Sequence, residues 1–258
     1  MKRTPVTPDI SLFPKELHSF FSGSAVYDSS SSPEAKVFFL EKNGGYYLKT
    51  AKKGTLEREA QLTAYFHEKG LAPDMLAYIS LERDFMLTSR VPGEDMTFRQ
   101  YLDEPKKLCD KSAELLRSLH ETDFSACPVK DHTAHYLSTA QANFEKGAYD
   151  LSFAPWFKTA KEAYAYLFAN AHLLKNEVLL HGDYCLPNVM LDNWHFTGFI
   201  DVGNGGVGDR HVDLYWGAWT LCFNLGTDAY RARFLDAYGR DRAEEEKLRI
   251  IAAAEIFG

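Results

Sequence analysis

VLLHGDYCLPNVMLDNWHFTGFIDVGNGGVGDRHVD, residues 178–213, is the stretch on which the reading of the whole chain turns. Three short apolar runs stand out in it: Val178-Leu179-Leu180, Val189-Met190-Leu191 and Phe196 to Ile200. Each is rich in β-formers and stops at polar or glycine-containing residues, the pattern of short buried strands. Chemistry-bearing side chains sit at the ends of these runs. Asp183 follows the first within His181-Gly182-Asp183, Asn188 directly precedes the second, and Asp201 follows the third within Asp201-Val202-Gly203. Two carboxylates and an amide at strand ends of one compact segment can converge on a single point.

Phosphoryl transfer from a nucleotide needs that set. One carboxylate, Asp183, orients the attacking hydroxyl and takes its proton. A second carboxylate and an amide oxygen, Asp201 and Asn188, hold Mg²⁺, which prefers hard oxygen ligands. Protein kinases place these groups as H-R-D-x-x-x-x-N and D-F-G; here the chain reads H-G-D-Y-C-L-P-N and D-V-G, with the interval from Asp183 to Asn188 kept. The segment resembles the aminoglycoside phosphotransferase family of small-molecule kinases, most closely its 3′-phosphotransferases, in which HGDxCLPN, a hairpin, GFID-x-G and ADR-x-x-D form one block. Any one of these residues alone would more simply be a turn residue; the three at this spacing are read as a site. His181 is read as a hydrogen-bonding brace of the loop.

Gly203 to Gly208 (GNGGVG) also spells G-x-G-x-x-G after a strand. A dinucleotide-binding unit would need further parallel strands and an acidic residue about 20 positions on. Only a helical pattern follows, so that reading is rejected.

With 258 residues, 45% hydrophobic and 25% charged, the chain has the composition of a globular protein large enough for two lobes. No apolar run approaches a membrane span, and MKRTPVTPDI lacks the apolar core of a signal peptide. Cys109, Cys127, Cys185 and Cys222 form no CxxC pair and are expected as free thiols, in keeping with a cytoplasmic setting. A net charge of −7 argues against nucleic acid and suits a small cationic partner.

Upstream, a Pro-containing start leads to a short amphipathic helix over residues 13–21, and then to strands at Ala25–Tyr27, Lys36–Leu40 and Tyr46–Lys49, the last two joined by a turn at Asn43-Gly44-Gly45. Residues 54–69 read as a helix capped by Thr55 and closed by Gly70. Met75–Ile79 and Phe85–Leu87 complete an antiparallel sheet of about five strands, and Thr88-Ser89-Arg90-Val91-Pro92-Gly93 breaks it. Helices are expected over about 106–120, 131–146, 155–174, 212–223, 227–238 and 243–257.

The resemblance assigns further residues. Lys49, paired with Glu59 of the following helix, is implied to reach the nucleotide phosphates. Ser32, before Pro33, falls in a loop over the nucleotide, Tyr47 at an adenine-stacking position, and Ser89 and Val91 in a linker that reads the adenine edge. At the far end, Glu255 and Phe257 match the segment that faces the antibiotic in that family, and an extra residue, Gly258, carries the terminal carboxylate beside them as a further substrate candidate. Asn204, Trp219, Phe223 and Ala254 depart from it: the family carries charged residues there. The implied fold is an α+β, protein-kinase-like fold of two lobes. Residues 1–88 form an N-lobe with the sheet, 89–93 a hinge and 94–258 a mainly helical C-lobe. The implied activity is transfer of the γ-phosphoryl group of ATP, with GTP as the alternative nucleotide, to a hydroxyl of a cationic acceptor, foremost an aminoglycoside 3′-hydroxyl. The alternatives are a kinase of another cationic hydroxylated metabolite and a non-catalytic nucleotide-binding module. Oligomeric state is not legible.

Overall fold

In a computed structural model, residues 3–31, 33 and 35–258 are described; Ser32, assigned above to the nucleotide loop, lies outside them. The chain divides into two units. One comprises Met1–Gly93 with Thr197–Gly203, the other Glu94–Phe196 with Asn204–Gly258.

The first unit is built on strands β1 (Thr4–Pro5), β2 (Ala25–Asp28), β3 (Ala35–Glu41), β4 (Tyr46–Lys52), β5 (Met75–Ser80) and β6 (Arg83–Ser89), with helices α1 (His18–Phe21) and α2 (Glu57–Glu68). The strands form one antiparallel sheet in the order β1-β2-β3-β4-β6-β5. The sheet has six strands rather than the five expected, because Thr4 and Pro5 pair with Asp28 and Tyr27. Proline cannot donate a ladder hydrogen bond, so Pro5 is tolerable only at such an edge. The helix expected over 13–21 is shorter, a 3₁₀ turn at Lys15–Leu17 running into α1.

Side chains alternate across a strand, and the sequence uses both faces. Phe38, Leu40, Leu48, Phe85 and Leu87 pack with Leu17 and Phe21 on one side. Ala51 and Met86 pack on the other with Leu56 and Ala60, at the start of α2. Lys49 is two residues from Ala51 on β4 and so shares the α2 face. Thr55 does not cap α2: its hydroxyl donates to the Lys52 carbonyl at 2.6 Å. The buried carboxylate of Asp84 takes that place, accepting from the N–H of Leu56 at 2.9 Å. A carboxylate at a helix N-terminus satisfies an orphan donor and complements the dipole.

The second unit opens with β7 (Glu94–Asp95), α3 (Arg99–Leu102), α4 (Pro105–His120), α5 (His132–Lys146) and α6 (Ala160–Asn170). It continues through β8 (Val178–Leu180), β9 (Val189–Asp192), β10 (His195–Phe199), within which the two units meet in sequence, and β11 (Gly206–Gly208). Helices α7 (His211–Leu225), α8 (Arg231–Gly239) and α9 (Glu245–Glu255) follow. The helix expected over 155–174 is confined to α6, because the Thr159 hydroxyl caps it on Glu162 N–H at 3.1 Å and Ala171–Leu173 tightens into a 3₁₀ turn. Its core joins Ala163 and Leu167 of α6, Val178 and Leu180 of β8 and Ile250, Ile251 and Ala254 of α9.

The glycine run at 203–208 closes a 3₁₀ turn at Val202–Asn204 and then forms strand β11 at Gly206–Gly208. β11 pairs antiparallel with β8, Gly206 opposite Leu180 and Gly208 opposite Val178. A Cβ on Gly206 would lie 2.6 Å from Val129 Cγ1, and one on Gly208 would lie 2.5 Å from Leu180 Cδ1. These glycines serve close packing against neighbouring chain.

Candidate active site

In the first unit, β4 and α2 bring Lys49 and Glu59 together. The ammonium Nζ donates to Glu59 Oε1 at 2.9 Å and Oε2 at 2.8 Å, and to Asp201 Oδ1 at 3.2 Å. Burial pulls the lysine's proton affinity down, but Asp201 and Glu59 reverse that, and its pKa is raised overall. The carboxyl of Glu59 is also raised, by burial first, with Lys49 opposing and Asp201 reinforcing. Lys49 is therefore a fixed cation at neutral pH. Asp201 has φ +56, a left-handed backbone uncommon outside glycine, and its side chain is 50% exposed. A strained, half-exposed carboxylate beside a fixed ammonium is a hard oxygen donor of the kind Mg²⁺ takes.

The other nucleotide candidates of this unit have distinct settings. Tyr47 lies two residues before Lys49 on the same strand face. Its ring is 5.1 Å from Phe39, and its hydroxyl accepts from Arg3 at 2.9 Å. Ser89 spends its N–H on the carbonyl of Asp74, and Arg90 spends its own on Gly45, both at 3.0 Å. Val91 is buried, and its N–H has no partner among the described residues. An orphaned buried donor is costly unless something accepts from it.

In the second unit, the loop after β8 holds Asp183 and Asn188 together. Asn188 Nδ2 donates to Asp183 Oδ2 at 2.9 Å and to the Asp183 carbonyl at 3.0 Å. Both amide hydrogens are thus committed to Asp183, and the amide oxygen is the atom left for a hard cation. His181, fully buried, accepts at Nδ1 from Asp183 N–H at 3.3 Å. Gly182 has φ +83, and a Cβ there would lie 2.0 Å from the Asn204 carbonyl oxygen. No other residue fits at this point of the loop.

The sequence reading reached Asp213 as the end of a motif but gave it no task. It is fully buried in the first turn of α7. Oδ2 accepts from His181 N–H and Oδ1 from Gly182 N–H, both at 2.8 Å, and His120 Nε2 lies 3.1 Å from Oδ2. Burial raises the pKa of Asp213, but the hydrogen bonds with His120 and the backbone outweigh it, and the net shift is downward. Burial lowers that of His120. The consistent assignment is an ionised Asp213 receiving Nε2–H from a neutral imidazole, whose Nδ1 accepts from Tyr238 at 2.8 Å. One carboxylate thereby clamps two consecutive amides of the loop carrying Asp183.

Glu255 ends α9 and is 6% exposed. Its Oε1 accepts from Tyr136 Oη at 2.6 Å and Trp216 Nε1 at 2.9 Å. Burial, with a contribution from Asp183, pushes its pKa up to about 7 against the two hydrogen bonds. Tyr136 and Trp216 carry no local sequence signal for this role. Phe257 is fully buried, its ring edge-on to Phe144 at 5.7 Å and Tyr164 at 6.1 Å. Its ring thus seats the segment after α9, whereas Gly258 is exposed.

Residues 29–250 match the phosphotransferase enzyme family. The chain belongs to that family, and it is a phosphotransferase with the α+β, kinase-like fold expected from its sequence. It is 51% identical over 253 residues, 97% of each chain, to a probable aminoglycoside 3′-phosphotransferase of Lactococcus lactis. Identity is 31% over 207 residues, 79% of each chain, to an aminoglycoside 3′-phosphotransferase of Niallia circulans. Among solved structures, an aminoglycoside-3′-phosphotransferase of type VIII superposes with a TM-score of 0.79 at 26% identity, over 95% of this chain and 97% of that one. An aminoglycoside phosphotransferase from Streptomyces rimosus, solved with ADP and streptomycin, superposes with a TM-score of 0.73 at 22% identity, over 98% and 100%. Among the described residues no helix is long and apolar enough to cross a membrane.

Proposed function

We propose that this phosphotransferase transfers the γ-phosphoryl group of ATP to the 3′-hydroxyl of an aminoglycoside, in the cytoplasm, and so confers resistance. The observation that carries the phosphoryl-transfer assignment is the Lys49 ammonium held at 2.8–3.2 Å from Glu59 and Asp201, a fixed charge of the sign that nucleotide phosphates require. The acceptor assignment leans on the identity to the two bacterial 3′-phosphotransferases, and the ADP complex of the Streptomyces enzyme favours an adenine nucleotide.

On this reading Asp183 orients the acceptor hydroxyl and receives its proton as the oxygen bonds to the γ-phosphorus and ADP leaves. Lys49, steadied by Glu59, neutralises charge on the α- and β-phosphates. Asn188 and Asp201 are the residues whose oxygens would hold Mg²⁺, and a bound ion would supply positive charge against the phosphates. Tyr47 stacks on the adenine, and the linker at Ser89 and Val91 reads its edge, with Val91 N–H the available donor. Glu255 takes an ammonium of the acceptor, with Phe257 and Gly258 beside it. Because the transition state is loose, the rate comes from positioning and electrostatics more than from base strength.

A second reading, a kinase of another cationic hydroxylated metabolite, is favoured by Trp219 and Phe223, which are aromatic where the resembling enzymes are charged. Incubation of the protein with MgATP and a panel of aminoglycosides and amino alcohols separates the two. Phosphate found by NMR at the 3′-position, with no product from a 3′-deoxy aminoglycoside, is the expected result. Turnover of amino alcohols alone would overturn it.

A further inference from the structure

Helix α7 presents an aromatic ladder that leads directly to the buried Glu255 carboxylate. Trp216 donates its indole N–H to Glu255 Oε1 at 2.9 Å. Trp219 stands edge-on to Trp216 at 5.3 Å, and Phe223 stacks on Trp219 at 5.0 Å with 11° between the ring planes. Phe153 flanks both tryptophans, at 6.0 Å and 6.3 Å. The ladder ends in Phe223, a residue that is 70% exposed. A phenyl ring this exposed and this well stacked gains little for folding, because most of its surface still meets water.

We propose that Trp219 and Phe223 form a recognition wall for the acceptor, taking the C–H face and flanking ammonium of a cationic sugar ring whose charge is anchored at Glu255. The two hydrogen bonds to Glu255 come from neutral donors, so neither cancels its charge when the carboxylate ionises. Asp183 and Glu255 belong to the same unit. An aromatic face beside an uncancelled carboxylate is what an aminated sugar fits: ammonium to the carboxylate, ring protons and residual positive charge to the π-surface. An acyclic polyamine has the charge without the ring face. The wall rests on the acceptor being the cationic sugar proposed above. It adds that this enzyme reads that sugar by an aromatic surface on α7.

The test is direct binding, so that it does not depend on turnover. Kanamycin and spermine are titrated by calorimetry into the wild type, Trp219→Phe, Trp219→Leu and Phe223→Ala, each checked by a thermal melt and by MgATP affinity. Kanamycin affinity should fall roughly tenfold in Trp219→Leu and about threefold in Phe223→Ala, and return to near the wild-type value in Trp219→Phe, with MgATP binding unmoved throughout. Spermine should bind more weakly than kanamycin and lose nothing in the variants. Wild-type kanamycin affinity in Trp219→Leu and Phe223→Ala, or a parallel loss for spermine, would overturn the wall while leaving the acceptor assignment intact if the wild type still phosphorylates kanamycin. A wild type that neither binds nor phosphorylates kanamycin overturns both.

Discussion

Asp201 adopts a backbone conformation that costs a non-glycine residue about 1–2 kcal/mol. Strain of this kind persists where the side chain is needed for something other than stability. Asp201→Ala keeps the strain and removes the carboxylate, whereas Asp201→Gly removes both. The glycine variant should therefore melt several degrees above the alanine variant while both lose turnover, and an alanine variant that melts as high would mean that φ +56 carries no strain. Asp183→Ala should lower turnover by ~10²–10⁴-fold with nucleotide affinity near the wild-type value. Retention of a tenth or more of the activity would remove Asp183 from the mechanism. For Glu255 the linkage runs against alkaline pH. Its pKa is raised from 4.5 to about 7, so the folded state holds a proton that the unfolded state releases, and stability drops as pH climbs through that window. Binding of a cation should move the opposite way, tightening as the carboxylate ionises. Between about pH 5 and pH 8 the melting temperature of the wild type should fall relative to Glu255→Gln. A constant difference across that range would mean Glu255 titrates normally.

Elements hold these residues, and their construction was unevenly legible. The strands expected at 178–180 and 189–191 are β8 and β9 almost to the residue, because continuous runs of Val and Leu bounded by polar turns have few other outcomes. β11 was not seen, since a strand of glycine, valine and glycine offers no side-chain periodicity to read. The start of α2 was misassigned to Thr55 because its real cap, Asp84, arrives from a strand 28 residues away. Tyr136 meets Glu255 across 119 residues of chain, and nothing near either of them in sequence announces it. The loop carrying Asp183 shows how an element becomes functional: α7 offers one ionised carboxylate, and two loop amides fold onto it. Asp213→Asn would turn an amide N–H₂ towards a backbone N–H in a buried place, an unpaired donor worth roughly 1–3 kcal/mol. The displaced loop should cost turnover by about 10²-fold, with nucleotide KM little changed. Normal turnover in a variant that is merely less stable would confine Asp213 to folding.

At the scale of the molecule, charge dominates over shape in what can be forecast. A net charge of −7 attracts a polycationic acceptor and repels ATP. Raising the ionic strength from about 20 to about 200 mM shortens the screening length severalfold. It should lower kcat/KM for the acceptor while leaving that for ATP level or slightly higher. Parallel salt effects on the two substrates would show that local contacts, and not the field of the whole protein, govern capture. Composition alone made that much readable, and the residue pattern in 178–213 made the chemistry readable. The acceptor was less so, because its candidate side chains come from α5, α7, α9 and the loop around Phe153, which only the folded chain assembles.

One feature of the architecture bears on how the chain is made. The first unit takes Thr197–Gly203 from beyond Glu94–Phe196, and Asp201, the partner of Lys49, is in that returning segment. On a ribosome the six-stranded sheet emerges early, but the last segment of the first unit follows 103 residues later, a wait of roughly 5–20 s at ordinary elongation rates. Throughout that interval the unit is incomplete: Lys49 and Glu59 are already made, and Asp201 is still unsynthesised. A fragment cut after Gly93 would lack that segment, and a split version of the protein could regain Asp201 only by supplying Thr197–Gly203 in trans.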